Sequence, residues 1–128
     1  MHHPQLLVYE SDGRLAAQLR PLAAANAWSL REPRQSEGCL RLLERGGPGV
    51  VVIRAGRDLE QELGLIEQVR WRHPHVAVVV VGDAEHARLA GLAWDLGAAY
   101  VHLPPQPHER LPGIVAGLMG IPFVEVKE

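Results

Sequence analysis

Two unbroken apolar runs constrain this chain most: Val50-Val51-Val52-Ile53 and Val76-Ala77-Val78-Val79-Val80-Val81. Both are rich in β-branched residues, which fit a pleated, packed surface. Gly46-Gly47-Pro48-Gly49 precedes the first run and Gly82 follows the second, so each is bounded by turn-forming residues. A strand with one solvated face alternates apolar and polar side chains. A run without alternation reads as a strand covered on both faces.

Helical patterns fill the intervals between such runs. Gln5 to Tyr9 is a first strand that stops at the turn-forming Glu10-Ser11-Asp12-Gly13. Leu15, Leu19 and Leu22 then recur at helical spacing, with Pro21 expected to kink or interrupt that helix. Trp28 to Arg31 is a more polar second strand, and Ser36 is placed to cap a helix carrying Cys39, Leu40 and Leu43. After Val50 to Ile53, Asp58 caps a helix in which Gln61 answers it and Leu59, Leu63 and Ile66 form the buried stripe, ending near His73-Pro74. After the fourth strand, Asp83 caps a helix with Leu89, Leu92, Ala93 and Leu96 on one face, stopped by Gly97. Tyr100 to Leu103 is a last strand and Pro104-Pro105 a rigid turn. Leu111, Val115 and Leu118 mark a final helix weakened by Pro112-Gly113.

Five strand-helix units predict an α/β fold: a doubly wound, five-stranded parallel sheet of flavodoxin-like order 2-1-3-4-5 with helices on both faces. The expected domain spans residues 1–120, and residues 121–128 are a tail or linker. Val124-Glu125-Val126-Lys127 alternates, which fits an edge strand, a dimer contact or a linker equally.

Composition excludes several function classes. A chain of 128 residues with 47% hydrophobic and 22% charged residues is an ordinary globular domain. A net charge of -2 without a basic stripe argues against nucleic acid. No apolar run is long enough to span a bilayer and the N-terminal run has no signal-peptide pattern, so a cytoplasmic protein without a membrane partner is expected. The single Cys39 excludes an internal disulfide and reads as a buried, inert thiol. No cofactor or metal motif is present: His73 and His75 lack paired ligands, and the glycine-rich turn at residues 46–49 lacks the following Lys and Ser or Thr of a phosphate loop.

In a sheet of this order, function collects beyond the carboxyl ends of the strands, near the reversal between the first and third. The rim there is expected to gather Glu10, Ser11 and Asp12, then Arg54, Gly82 and Asp83, and Pro104-Pro105. With these positions in place the chain resembles the receiver domain of bacterial response regulators. Leu6-Leu7-Val8-Tyr9-Glu10-Ser11-Asp12 resembles that family's first strand and acidic pair, Leu63 to Pro74 its third helix, and Leu96-Gly97-Ala98 with Pro105 its approach to the last strand.

The resemblance implies a role in two-component signal transduction. In that family an acidic pair holds magnesium, an Asp ending the third strand accepts a phosphoryl group, and a hydroxyl residue and a Lys contact it. Position by position, Glu10 and Ser11 take the acidic pair, Arg54 the acceptor, Gly82 the hydroxyl and Pro104 the lysine, while Pro105 matches a cis-proline. Only Glu10 keeps its character. A guanidinium stays protonated and offers no nucleophilic lone pair. The chain contains no Thr, and its one Lys is Lys127.

The expectation is therefore a non-enzymatic, phosphorylation-independent pseudo-receiver that binds a protein partner. A possible homodimer face is the fourth helix, last strand and fifth helix, with Trp94, Tyr100, His102 and Phe123 as candidate contacts. The alternative is a sensor that grips a small anion with Arg54 and Arg57. Two local readings compete at the rim. Arg54 pairs with Glu10 or Asp12, or Asp12, Asp58 and Asp83 gather a hard cation, against which stand their value as helix caps and the two nearby arginines.

Overall fold

The computed structural model describes residues 4–45, 49–82, 87–104 and 106–120. Five strands form one parallel sheet: β1 (Gln5–Tyr9), β2 (Ser29–Arg31), β3 (Gly49–Arg54), β4 (Ala77–Val81) and β5 (Tyr100–His102). Their order is β2-β1-β3-β4-β5, as the strand-helix alternation predicts. The helices are α1 (Arg14–Ala25), α2 (Ser36–Glu44), α3 (Leu59–Arg72), α4 (Ala87–Asp95) and α5 (Leu111–Leu118), the last preceded by a 3-10 turn at His108–Arg110.

The pleat divides the apolar runs between two cores. Leu7, Val51, Ile53, Val78 and Val80 pack with Cys39 and Leu43 of α2, Leu65, Ile66 and Val69 of α3, and Leu89 and Ala93 of α4. Leu6, Val8, Val50, Val52, Val79 and Val81 face the other way, toward Leu15 and Leu19 of α1 and Leu111 and Val115 of α5. Both faces of β1, β3 and β4 are thus covered, which is why these strands do not alternate. Each fully buried Val or Leu contributes roughly 1.5–3 kcal/mol.

Several local expectations need correction. Helix α1 is not interrupted at Pro21: its buried line Leu15, Ala16, Leu19 and Ala23 continues past that exposed residue. Trp28 is buried ahead of β2 rather than within it. Ser36 is the first residue of α2 and Gln35 precedes it as the cap, without a side-chain hydrogen bond. In α3 the fully buried line is Glu62, Leu65, Ile66 and Val69, and Leu59 and Leu63 are only half-buried. In α4, Leu89 and Ala93 are buried but Leu92 is 49% exposed. The short α5 tolerates Pro112 because it falls in the first turn, where its missing N–H has no helical partner. The expected cap at Asp83, the turn residue Pro105 and the tail from residue 121 lie outside the described residues.

Candidate functional site

Parallel strands bring the ends of β1 and β3 side by side, with Tyr9 in register with Ile53. Beyond them opens a cleft of about 830 Å³. Tyr9 enters it from the end of β1 and Glu10 and Ser11 from just beyond, Arg54 from the end of β3, and Ala55 to Asp58 from the connection between β3 and α3. Gln61 and Glu62 of α3 and Arg34 of the loop between β2 and α2 line it as well. The cleft lies at the point where the winding reverses.

Glu10 is held by the start of α1. Its carboxylate accepts from the Leu15 amide at 3.0 Å and the Ala16 amide at 2.8 Å, one on each oxygen. These amides are among the helix donors without intrahelical acceptors, and the positive end of the helix favours the negative charge. The cap that Gly13 lacks is supplied by a residue several positions upstream. Asp12 accepts from the Arg14 amide at 3.0 Å. That bond is the largest influence; burial, the next, acts the other way, and a hydrogen bond with Glu10 and the charges of Arg54 and Arg14 help to hold the carboxyl below the usual carboxylate range. The charge of Arg54 thus bears on the acidic turn at Asp12.

The loop that carries the arginines is fixed from both ends. The Ala55 amide donates to the Val81 carbonyl at 2.8 Å, and the Gly56 amide donates to Glu62 Oε1 at 2.8 Å. Gly56 has φ 132°, a conformation that side chains rarely adopt. Asp58 then caps α3 by accepting from the Gln61 amide at 3.3 Å, as the sequence predicts. Glu62 is only 5% exposed, and its charge contributes to raising the Tyr9 hydroxyl above its ordinary value, after burial and ahead of Asp58.

The remaining rim positions separate from this cleft. Arg54 ends β3 opposite Val81, in register, so it does occupy the strand end where the receiver resemblance places the acceptor. Gly82 follows β4 and donates to the His102 carbonyl at 3.1 Å. A Cβ there would stand 2.8 Å from Leu103 Cδ2 and 3.0 Å from Leu89 Cδ2, so a side chain at this position requires those two leucine side-chain ends to shift. Pro104 is exposed and stands apart from the cleft, while Pro105 and Asp83 lie outside the described residues. The residues present do not fit a magnesium site. Both Glu10 oxygens accept amides, Arg54 brings a positive charge, and no group of three carboxylate, His or Cys ligands occurs among the described residues.

At the other candidate surface, Trp94 is 49% exposed and Tyr100 half-buried, with its hydroxyl 3.2 Å from Gln106 Oε1. His102 is 1% exposed, packed in the interior beside Tyr100, so it offers no surface to a partner and that expectation is corrected. Phe123 lies outside the described residues. Cys39 is buried, and burial pushes its thiol up to about 12, as expected of an inert cysteine. No described helix is long and apolar enough to cross a membrane.

Sequence reasoning missed Glu62 and Arg34. Glu62 had a signal, since it sits three and four residues before Leu65 and Ile66, in phase with the true buried line. Arg34 had none, because only the placement of β2 beside β1 brings its loop to the cleft.

This topology is that of the flavodoxin-like fold, to which receiver domains of response regulators belong. Comparison with solved structures shows the same. The chain is similar to the CheY-like response regulator receiver domain protein of Methanospirillum hungatei JF-1, with 10% identity, a TM-score of 0.76 and coverage of 93% of this chain and 95% of that one. It is similar to the receiver domain of NtrX from Brucella abortus, with 17% identity, a TM-score of 0.73 and coverage of 90% and 98%. It is also similar to the beryllofluoride-activated NtrC4 receiver domain dimer, with 14% identity, a TM-score of 0.74 and coverage of 91% and 96%. No protein-family model and no curated protein matches the sequence.

Proposed function

We propose that this chain is a signalling module of the receiver fold that works without phosphorylation and without catalysing a reaction, by binding a protein partner. The observation that carries this reading is Arg54 at the end of β3, the position at which the receiver resemblance calls for an acceptor carboxylate. The surroundings support it. Glu10 serves α1 through both oxygens, and the resemblance matches Gly82, without a hydroxyl, and Pro104, without an amine, to the other two phosphoryl-contacting positions.

The partner surface in this reading is the face of α4, β5 and α5, where Leu92 and Trp94 are each 49% exposed on one short helix. Exposed aromatic and aliphatic anchors of this kind serve interfaces. The dimeric state of the similar NtrC4 receiver domain makes a second copy of this chain one candidate partner.

Amide NMR spectra recorded with and without Mg²⁺ and beryllofluoride test the reading. The expected result is no change at Tyr9 to Asp12 or at Arg54 to Asp58. Saturable shifts confined to those amides would overturn it. Sedimentation of the chain and of Trp94→Ala tests the dimer separately, with any self-association expected to weaken in the variant.

A further inference from the structure

Three guanidinium groups line the cleft between β1, β3 and α3: Arg34, Arg54 and Arg57. Three carboxylates line it as well, and their geometry gives them a different task. Glu10 accepts two α1 amides, Glu62 accepts the Gly56 amide, and Asp58 accepts the Gln61 amide. These carboxylates are thus committed, as acceptors, to the backbone that builds the cleft.

Arg34 and Arg57 have no such commitment. Both are exposed, and among the described residues neither forms an ion pair or a side-chain hydrogen bond. They reach the cleft from separate connections, one after β2 and one after β3. The planar five-donor fork of a guanidinium matches a carboxylate or phosphate edge with two parallel hydrogen bonds.

The cleft volume narrows the ligand. About 830 Å³ falls within the roughly 300–1,000 Å³ of clefts that hold small organic molecules. The exposed Ser11 hydroxyl and the Tyr9 side chain add a polar and an aromatic contact on the β1 side. We propose that this cleft binds a small organic molecule carrying two oxyanion groups, held by Arg34 and Arg57 from opposite connections with Arg54 beside them. Such a ligand makes the rim an effector site, additional to partner binding. Its failure would leave the phosphorylation-independent reading intact.

Titration followed by amide NMR at low salt tests this, with pyrophosphate and citrate as paired oxyanions and inorganic phosphate as the single one. The two paired probes separate a phosphate source from a carboxylate source. At least one of them is expected to shift Tyr9 to Ser11 and Arg54 to Asp58 saturably, and to bind about tenfold or more tightly than inorganic phosphate. Arg34→Ala and Arg57→Ala should each weaken that binding about tenfold or more, and Arg57→Lys should restore it only in part. Both positions are exposed, so the variants keep the fold. No saturation by either paired probe at millimolar concentration, or equal binding by the Arg34→Ala/Arg57→Ala double variant, would overturn the site.

Discussion

Glu10 accepts the Leu15 and Ala16 amides through separate oxygens, so its removal strips the start of α1 of two partners. Glu10→Ala is expected to cost about 0.5–2 kcal/mol in urea denaturation, the range of a lost helix cap, and Glu10→Gln less. Glu62→Ala leaves the Gly56 amide without its acceptor, at an expected cost of about 1–3 kcal/mol. Cys39 gives a pH signature. Its folded thiol titrates near 12 and an unfolded one near 9.0, so from about pH 9 upward the unfolded chain loses a proton that the folded chain keeps. Stability therefore falls as pH rises, by about 1.4 kcal/mol per pH step from this group, and is fully present below pH 9. Denaturation at pH 8 and pH 10.5 should show a smaller drop for Cys39→Ala than for the parent chain, whatever the variant's starting stability.

At the scale of elements, what was legible in the sequence follows from how much of an element's pattern its own residues determine. Val50 to Ile53 and Val76 to Val81 place β3 and β4 because an unbroken β-branched run admits few other readings. The Asp58 cap was legible for the same local reason. The phase of α3 was not, because its buried line opens with the carboxylate Glu62, which belongs to the site and not to the apolar stripe. The rim itself was half legible: strand ends name Glu10, Ser11, Arg54 and Arg57, while Arg34 arrives through the neighbouring strand and leaves no local mark. Gly82 lies between the side-chain ends of Leu89 and Leu103, a neighbourhood that no local pattern in the sequence announces. Gly82→Ser is expected to cost about 1 kcal/mol or less, because only the ends of Leu89 and Leu103 must shift, and not to create a phosphorylation pocket. Urea denaturation and the NMR titration with beryllofluoride would check the two halves of that statement.

For the whole molecule, the central sheet separates two cores that share strands but not helices. Leu19 of α1 and Leu65 of α3 lie on opposite sides of it, 0% and 1% exposed. Each change to Ala should cost about 2–5 kcal/mol, and the double variant should equal their sum within about 0.5 kcal/mol. A clear departure in urea denaturation would show that the sheet transmits packing strain between its faces. The same architecture sets the chemistry of the rim, because it delivers Arg54, and not a carboxylate, to the end of β3 beside a Glu10 already engaged by α1. Intact-mass measurement after incubation with a small phosphodonor and Mg²⁺ tests that claim most directly: the mass is predicted to stay unchanged, and an acid-labile adduct of one phosphoryl group would contradict it.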